Sequence, residues 1–246
     1  MIPKIIHYCW FGRNPLPELA IKCIESWKKY LPDYEIKEWN EDNFDVNMIP
    51  YMEEAYKAKK YAFVSDYARF WILYNYGGLY FDTDVEVIKP IEDIVAKGPF
   101  MGCENVTDKK GQIPLKVAPG LGLGAPAGME IYKVFLEYYD GQHFISSDGS
   151  FNTNTTVVDH ISRVLRTQGL RNTNDIQKVG ELIIYPREYF CPIDVTTNRL
   201  HITENTYSIH HYAGSWADWS KGYILKKKMM RFVPEWLLRL YNRIKS

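Results

Sequence analysis

Four cysteines are spread over 246 residues, and none of Cys9, Cys23, Cys103 and Cys191 stands in a Cys-x-x-Cys pair. That spacing argues against the common thiolate motifs and for reduced thiols in a cytoplasm. The chain also lacks a charged and then apolar leader, because strand-like sequence follows almost at once after Met1. With no export signal expected, the sequons at Asn105-Val106-Thr107 and Asn154-Thr155-Thr156 are read as unmodified. Net charge is absent: 30 basic residues balance 30 acidic ones. There is no internal repeat and no low-complexity linker. The glycine-rich run at residues 119–125 is not spaced as G-x-G-x-x-G, and Pro126 interrupts the place where a helix would start, which argues against a dinucleotide fingerprint.

What is present fits one α/β domain, since 246 residues can bury a sizeable core. Nineteen tyrosines and seven tryptophans are many for this length. Aromatic faces suit sugar rings and nucleobases, although most will serve as core and rim. Short strands and helices alternate. Strands are expected at about 4–9, 34–39, into Asp82, at 85–88, 182–185 and 207–210. Helices are expected at about 17–30, with Ile21, Ile24 and Leu31 inward, and at 51–61, 64–76, 129–140 and 154–167. This alternation implies a nucleotide-binding α/β core.

The most informative stretch is Tyr76-Gly77-Gly78-Leu79-Tyr80-Phe81-Asp82-Thr83-Asp84. A glycine pair ends a helical pattern, an apolar strand follows, and two carboxylates stand one residue apart where it stops. In extended chain such side chains share a side, so Asp82 and Asp84 can converge on one hard cation, or on a cation and a ribose hydroxyl. The pair suits a metal-bound diphosphate. Upstream, Phe63, Tyr67, Phe70, Trp71 and Tyr74 form an apolar helical stripe, with Ser65, Asp66 and Arg69 off it. Asp66 and Arg69, three apart, are neighbours on the helix surface, as an ordinary ion pair or as part of a site.

Taken with residues 2–12 and with Ile209-His210-His211-Tyr212-Ala213-Gly214-Ser215-Trp216, this pattern resembles the DXD-containing region of glycosyltransferase family thirty-two. That family is related to the catalytic domains of the large clostridial glucosylating toxins. Residues 105–205 match it poorly. The resemblance implies a GT-A-like nucleotide-sugar-binding domain with a mixed central sheet flanked by helices, over residues 1–220. It implies Mn2+ or Mg2+ on Asp84, with Asp82 on a ribose hydroxyl or a water-mediated metal contact, and a histidine as a further ligand. Only one of two adjacent imidazoles can face the site, and His211 is slightly favoured over His210. By the same resemblance, Ser65, Asp66 and Arg69 hold nucleotide and donor sugar, His7 and Trp10 lie near the base, and Ser215 and Trp216 lie near the donor phosphates. The run at 119–125 would pass close to the donor sugar, or else be a tightly packed strand. Asp148, Asn152 and Asn154 stand before a helix, where they approach acceptor or donor, or simply cap it.

The tail is distinct. Residues 221–246 carry eight lysines and arginines against the single acid Glu235. Leu237, Leu240, Tyr241 and Ile244 share one helical face, the pattern of a helix on an anionic membrane surface, the alternative being a terminal helix packed on the domain. Nucleic acid is a poor partner for the acidic remainder. These readings describe a metal-dependent, retaining hexosyltransferase, cytoplasmic and peripheral on the inner membrane face. UDP-galactose is the first donor, with UDP-glucose or GDP-mannose behind it, and the acceptor is a lipid-linked or growing surface glycan such as capsule. The alternatives are a metal-dependent hydrolase of nucleotide sugars and a non-catalytic carbohydrate-binding protein.

Overall fold

The computed structural model describes residues 1–153, 155–194 and 197–214. Chain order is β1 (Ile5–Cys9), α1 (Glu18–Tyr30), β2 (Glu35–Trp39), α2 (Pro50–Lys57), α3 (Tyr61–Tyr76), β3 (Gly78–Tyr80), β4 (Val85–Val87) and α4 (Glu92–Val95). There follow β5 (Phe100–Cys103), β6 (Val117–Ala118), β7 (Leu123–Ala125), α5 (Glu130–Glu137) and α6 (Val157–Thr167). The last elements are β8 (Gln177–Val179), β9 (Leu182–Tyr185), α7 (Arg187–Phe190) and β10 (Ser208–His210).

The main sheet runs β2-β1-β3-β7-β5-β9-β8, with β6 beside β5, and is mixed. β1 pairs parallel with β2 and β3, and β5 pairs parallel with β9, while β7 runs antiparallel between β3 and β5. β1, β3 and β5 therefore end at one edge of the sheet, where open α/β sheets bind ligands. Helices cover both faces, so the mixed sheet flanked by helices expected from sequence is what the chain forms. The strand period sorts side chains between the two cores: Leu79 and Phe81 join one cluster and Tyr80 the other. A separate ribbon pairs β10 antiparallel with β4.

Two helices differ from expectation. In α1 the buried residues are Ala20, Cys23, Ile24 and Trp27, spaced for one helical face, while Ile21 is 49% exposed. Trp27 fixes that face, its indole donating to the Val85 carbonyl at 2.7 Å. In α3, Tyr67 and Phe70 of the expected stripe are buried while Phe63, Trp71 and Tyr74 are half-buried, and burial extends to Val64, Ala68, Arg69, Ile72 and Leu73. The helix lies between β1 and the covering helices α2 and α5. The face bearing Arg69 is therefore interior. Gly77 ends α3 as the sequence predicts: its N–H returns to the Leu73 carbonyl at 2.9 Å, and Gly77 and Gly78 take φ of 65° and 106°.

Candidate active site

β3 ends at Tyr80, Phe81 N–H still donates to the His7 carbonyl at 3.1 Å, and the chain then turns. Asp82 N–H donates to the Gly120 carbonyl at 3.2 Å, and Val85 N–H closes back on the Asp82 carbonyl at 3.0 Å. Asp82 and Asp84 thus converge across a turn, instead of along the extended strand expected from their spacing. β10 completes the group. Its register sets His210 opposite Val85, and His210 Nε2 lies 3.2 Å from Asp84 Oδ1. One ligand atom from each of Asp82, Asp84 and His210 falls within 4.8 Å of the others. The chemistry of this donor set, two carboxylates and an imidazole, fits a divalent cation such as manganese.

The slight preference for His211 is corrected. His211 Nε2 meets Glu86 Oε2 at 2.8 Å, and Lys22 meets the same oxygen at 2.9 Å. Strand alternation sends one imidazole to each side, and the β10–β4 register gives the carboxylate pair to His210. The ring edge of His210 packs on Tyr212 at a centroid distance of 4.3 Å, and its Nδ1 is buried without a partner among the described residues.

Electrostatics divide the two aspartates. Burial pushes Asp84 up, but His210 and the Ala213 N–H, which donates to Asp84 Oδ2 at 2.8 Å, bring it down to about 2. His210 is raised in turn: burial favours its neutral ring, and the facing Asp84 outweighs this. Asp82 is raised by burial, against the pull of Arg69. Arg69 itself is buried, and its guanidinium bridges Asp66 at 3.0 Å and Asp82 at 3.4 Å while its Nε donates to the Ser65 carbonyl at 3.0 Å. Burial lifts Asp66 to about 6, with Arg69 opposing. Ser65, Asp66, Arg69, Asp82 and Asp84 are therefore brought into one connected polar group, and Asp66 with Arg69 is no ordinary surface pair.

Other candidates fall elsewhere. His7 is fully buried between Trp39 Nε1, which donates to its Nδ1 at 3.0 Å, and the Gly77 carbonyl, 2.9 Å from its Nε2. Burial lowers it to about 4. It is a neutral core residue clamping β1 to the glycine turn, and its fully buried ring is not presented to a ligand as the donor-site expectation required. Trp10 does stand at the open end of β1, half-buried, its indole on the Asn14 carbonyl at 2.6 Å. Asp148 is exposed and turns its Oδ1 to Ser150 N–H at 3.0 Å. Asn152 reaches the His143 carbonyl at 3.4 Å. Neither caps α6, whose cap is Thr156, accepting from Asp159 N–H at 3.2 Å. Asn154, Ser215, Trp216 and the tail lie outside the described residues.

The sequence reading missed Glu104. It follows β5, its N–H pairs with the Lys116 carbonyl at 2.9 Å, and its own carbonyl meets Cys191 Sγ at 3.7 Å. That thiol contacts Tyr212 Oη at 2.8 Å, which connects Glu104 to the ring against His210. Burial raises its carboxyl, with Lys116 and His210 opposing. Recognising Phe100–Cys103 as a buried strand would have exposed the acid at its end.

Residues 17–101 match the family model described as a glycosyltransferase sugar-binding region containing a DXD motif, and Asp82 to Asp84 lie inside the match. That match covers about a third of the chain. The chain is similar, at 27% identity over 225 residues, to an uncharacterized glycosyltransferase of Acanthamoeba polyphaga mimivirus, with 88% of this chain and 84% of that protein covered. It is 29% identical over 111 residues to inositol phosphoceramide mannosyltransferase 1 of Schizosaccharomyces pombe, with 41% of this chain covered. The match spans only 33% of that yeast protein. Among solved structures, a glycosyltransferase involved in glycosylation of the major capsid of PBCV-1 superposes with a TM-score of 0.49 at 14% identity, covering 93% of this chain and all of that one.

Proposed function

We propose that this chain is a metal-dependent glycosyltransferase of family thirty-two, GT-A in type, that moves a hexose from a nucleotide sugar to a glycan acceptor with retention at the anomeric carbon. The observation that carries this is the convergence of Asp82, Asp84 and His210 beside the buried Arg69, within the matched DXD region. Asp84 and His210 would hold the cation directly, with Asp82 on it or on a ribose hydroxyl. Once bound, the cation supplies Lewis-acid stabilisation of the charge that grows on the leaving diphosphate. Arg69 keeps Asp82 in place and adds a fixed positive charge at the donor end. Trp10 offers an aromatic edge near the base. In a front-side transfer the acceptor hydroxyl forms the new bond as the anomeric bond to the phosphate breaks, and the hydroxyl proton passes to the departing phosphate. No residue of the chain then has to act as nucleophile.

UDP-galactose is the donor we favour from the family resemblance, with UDP-glucose behind it. The names of the yeast relatives favour a second reading, GDP-mannose. The acceptor is a lipid-linked or growing surface glycan, as in capsule synthesis. The described residues include no helix long and apolar enough to cross a membrane. We assign membrane contact to residues 221–246, as a unit distinct from 1–220. At about 1 kcal/mol for each basic residue near an anionic leaflet, even half of its eight basic residues supports reversible attachment at the cytoplasmic face.

The test is nucleotide release from a panel of these three donors, with and without Mn2+ and with simple glycosides as acceptors, for the wild type and Asp84→Ala. Slow Mn2+-dependent release from one donor, raised by acceptor and lost in the variant, supports the reading. Donor turnover indifferent to acceptor indicates a hydrolase, and saturable donor binding without any release indicates a binding protein.

A further inference from the structure

We propose that Gly120 is a positioning residue of this active centre: its missing side chain leaves the space that the Asp82 carboxylate occupies, and so keeps that carboxylate against Arg69. The inference rests on the proposed role of Asp82 in holding donor or cation.

Gly120 is buried and touches Asp82 twice. Its carbonyl accepts the Asp82 N–H at 3.2 Å, which fixes the main chain where β3 ends. A β-carbon built on residue 120 would overlap Asp82 Oδ2 and lie 2.9 Å from Asp82 Cγ and 3.5 Å from Arg69 Nη1. The glycine is therefore packed over the ion pair in which Arg69 holds Asp82 Oδ1 at 3.4 Å. Backbone conformation does not require it: Gly122 nearby has φ of 130°, whereas Gly120 has no positive φ. The close approach of the carboxylate is what a side chain here would disturb.

This arrangement separates stability from activity. The three atoms nearest to a methyl group at 120 all belong to side chains, the first of them the carboxylate end of Asp82, so the carboxylate swings aside and the fold remains. Loss of a glycine also lowers the entropy of the unfolded chain. Once displaced, Asp82 leaves Arg69 and leaves the group it forms with Asp84 and His210. Misplacement of about 1 Å at a reacting centre can lower rates by about 100-fold.

The experiment uses the full chain as wild type, Gly120→Ala, Asp82→Ala and the double variant. Crystal structures of the wild type and Gly120→Ala are compared at Asp82, and Mn2+-dependent nucleotide release is measured for all four. We expect a Gly120→Ala backbone that superposes on the wild type, an Asp82 carboxylate rotated off Arg69, and a roughly 100-fold loss of turnover. The double variant should be no slower than Asp82→Ala alone, because both changes remove the same group. An unmoved carboxylate, a Gly120→Ala protein that does not fold, or losses that multiply in the double variant would each overturn the proposal. A wild type that neither binds Mn2+ nor releases nucleotide refutes the functional reading instead, and the crystallographic comparison still decides the role of Gly120.

Discussion

Acidification is expected to destabilise this protein through His7, a buried residue whose ring touches none of Asp82, Asp84 and His210. The ring is fully buried, receives the Trp39 indole N–H on Nδ1, and can give its one proton on Nε2 to the Gly77 carbonyl. A second proton would have to displace the Trp39 bond. Burial accordingly lowers His7 to about 4, against about 6.5 for a histidine in the unfolded chain. Below pH 6.5 the unfolded chain takes up a proton that the folded one refuses, so the His7 contribution is intact at neutral pH and is lost as pH falls toward 4. A difference of about 2.5 units corresponds to about 3 kcal/mol in all, of which about 2 kcal/mol is gone by pH 5. Asp66 works in the opposite sense. Its folded carboxyl, raised to about 6, takes up a proton before the unfolded one does, and so adds stability as pH falls through the same window. The pH slope of the wild type alone would mix the two. The measurement is therefore urea unfolding, followed by tryptophan fluorescence, of wild type and His7→Gln at pH 7.5, 6 and 5. The glutamine variant should be about 1–3 kcal/mol less stable at pH 7.5, having stranded the Trp39 donor. That deficit should shrink by about 2 kcal/mol at pH 5. A deficit constant across the range would refute the reasoning, and a large change in donor KM would return His7 to the binding site.

Arg69→Met leaves Asp66 and Asp82 facing each other without a counter-charge, and breaking such a buried pair should cost about 3–5 kcal/mol in denaturant unfolding. A cost below about 1 kcal/mol would show that the guanidinium is not holding both carboxylates. His210→Ala should weaken Mn2+ binding, read from the electron paramagnetic signal of free Mn2+, by about tenfold or more, with a smaller effect for His211→Ala because Glu86 holds that ring. The reverse order would return the ligand role to His211. All four cysteines are buried, and burial pushes the thiols up, Cys9, Cys23 and Cys103 to about 12 and Cys191 to about 11. Ellman's reagent should titrate none in the native protein and four in guanidinium chloride, and rapid native reaction at any one would contradict the packing.

What could be read from the sequence was decided locally. The Gly77-Gly78 pair marks the end of α3 because only glycine enters the left-handed region freely, and the apolar residues after it make β3. The Asp-x-Asp triplet stands where that strand must stop. Arg69 illustrates what local pattern misses. A stripe count finds the apolar face of α3 but carries no signal that α2 and α5 cover the other side, and that cover turns an i, i+3 pair into a buried bridge reaching Asp82. β5 was missed for a related reason: a four-residue strand containing Gly102 looks weak alone, and its burial comes from β7, β9 and Phe190, with which Gly102 is in close contact. Glu104 went unseen with it. The choice between His210 and His211 is the clearest case. Alternation dictates that the two rings diverge, but which one meets Asp84 depends on the register of β10 against β4, a pairing between segments more than a hundred residues apart. A slip of one residue would exchange them, sending His211 to the aspartates and His210 to Glu86. The composition of the site is thus written in short motifs, while its assignment atom by atom depends on one strand register that no short motif encodes.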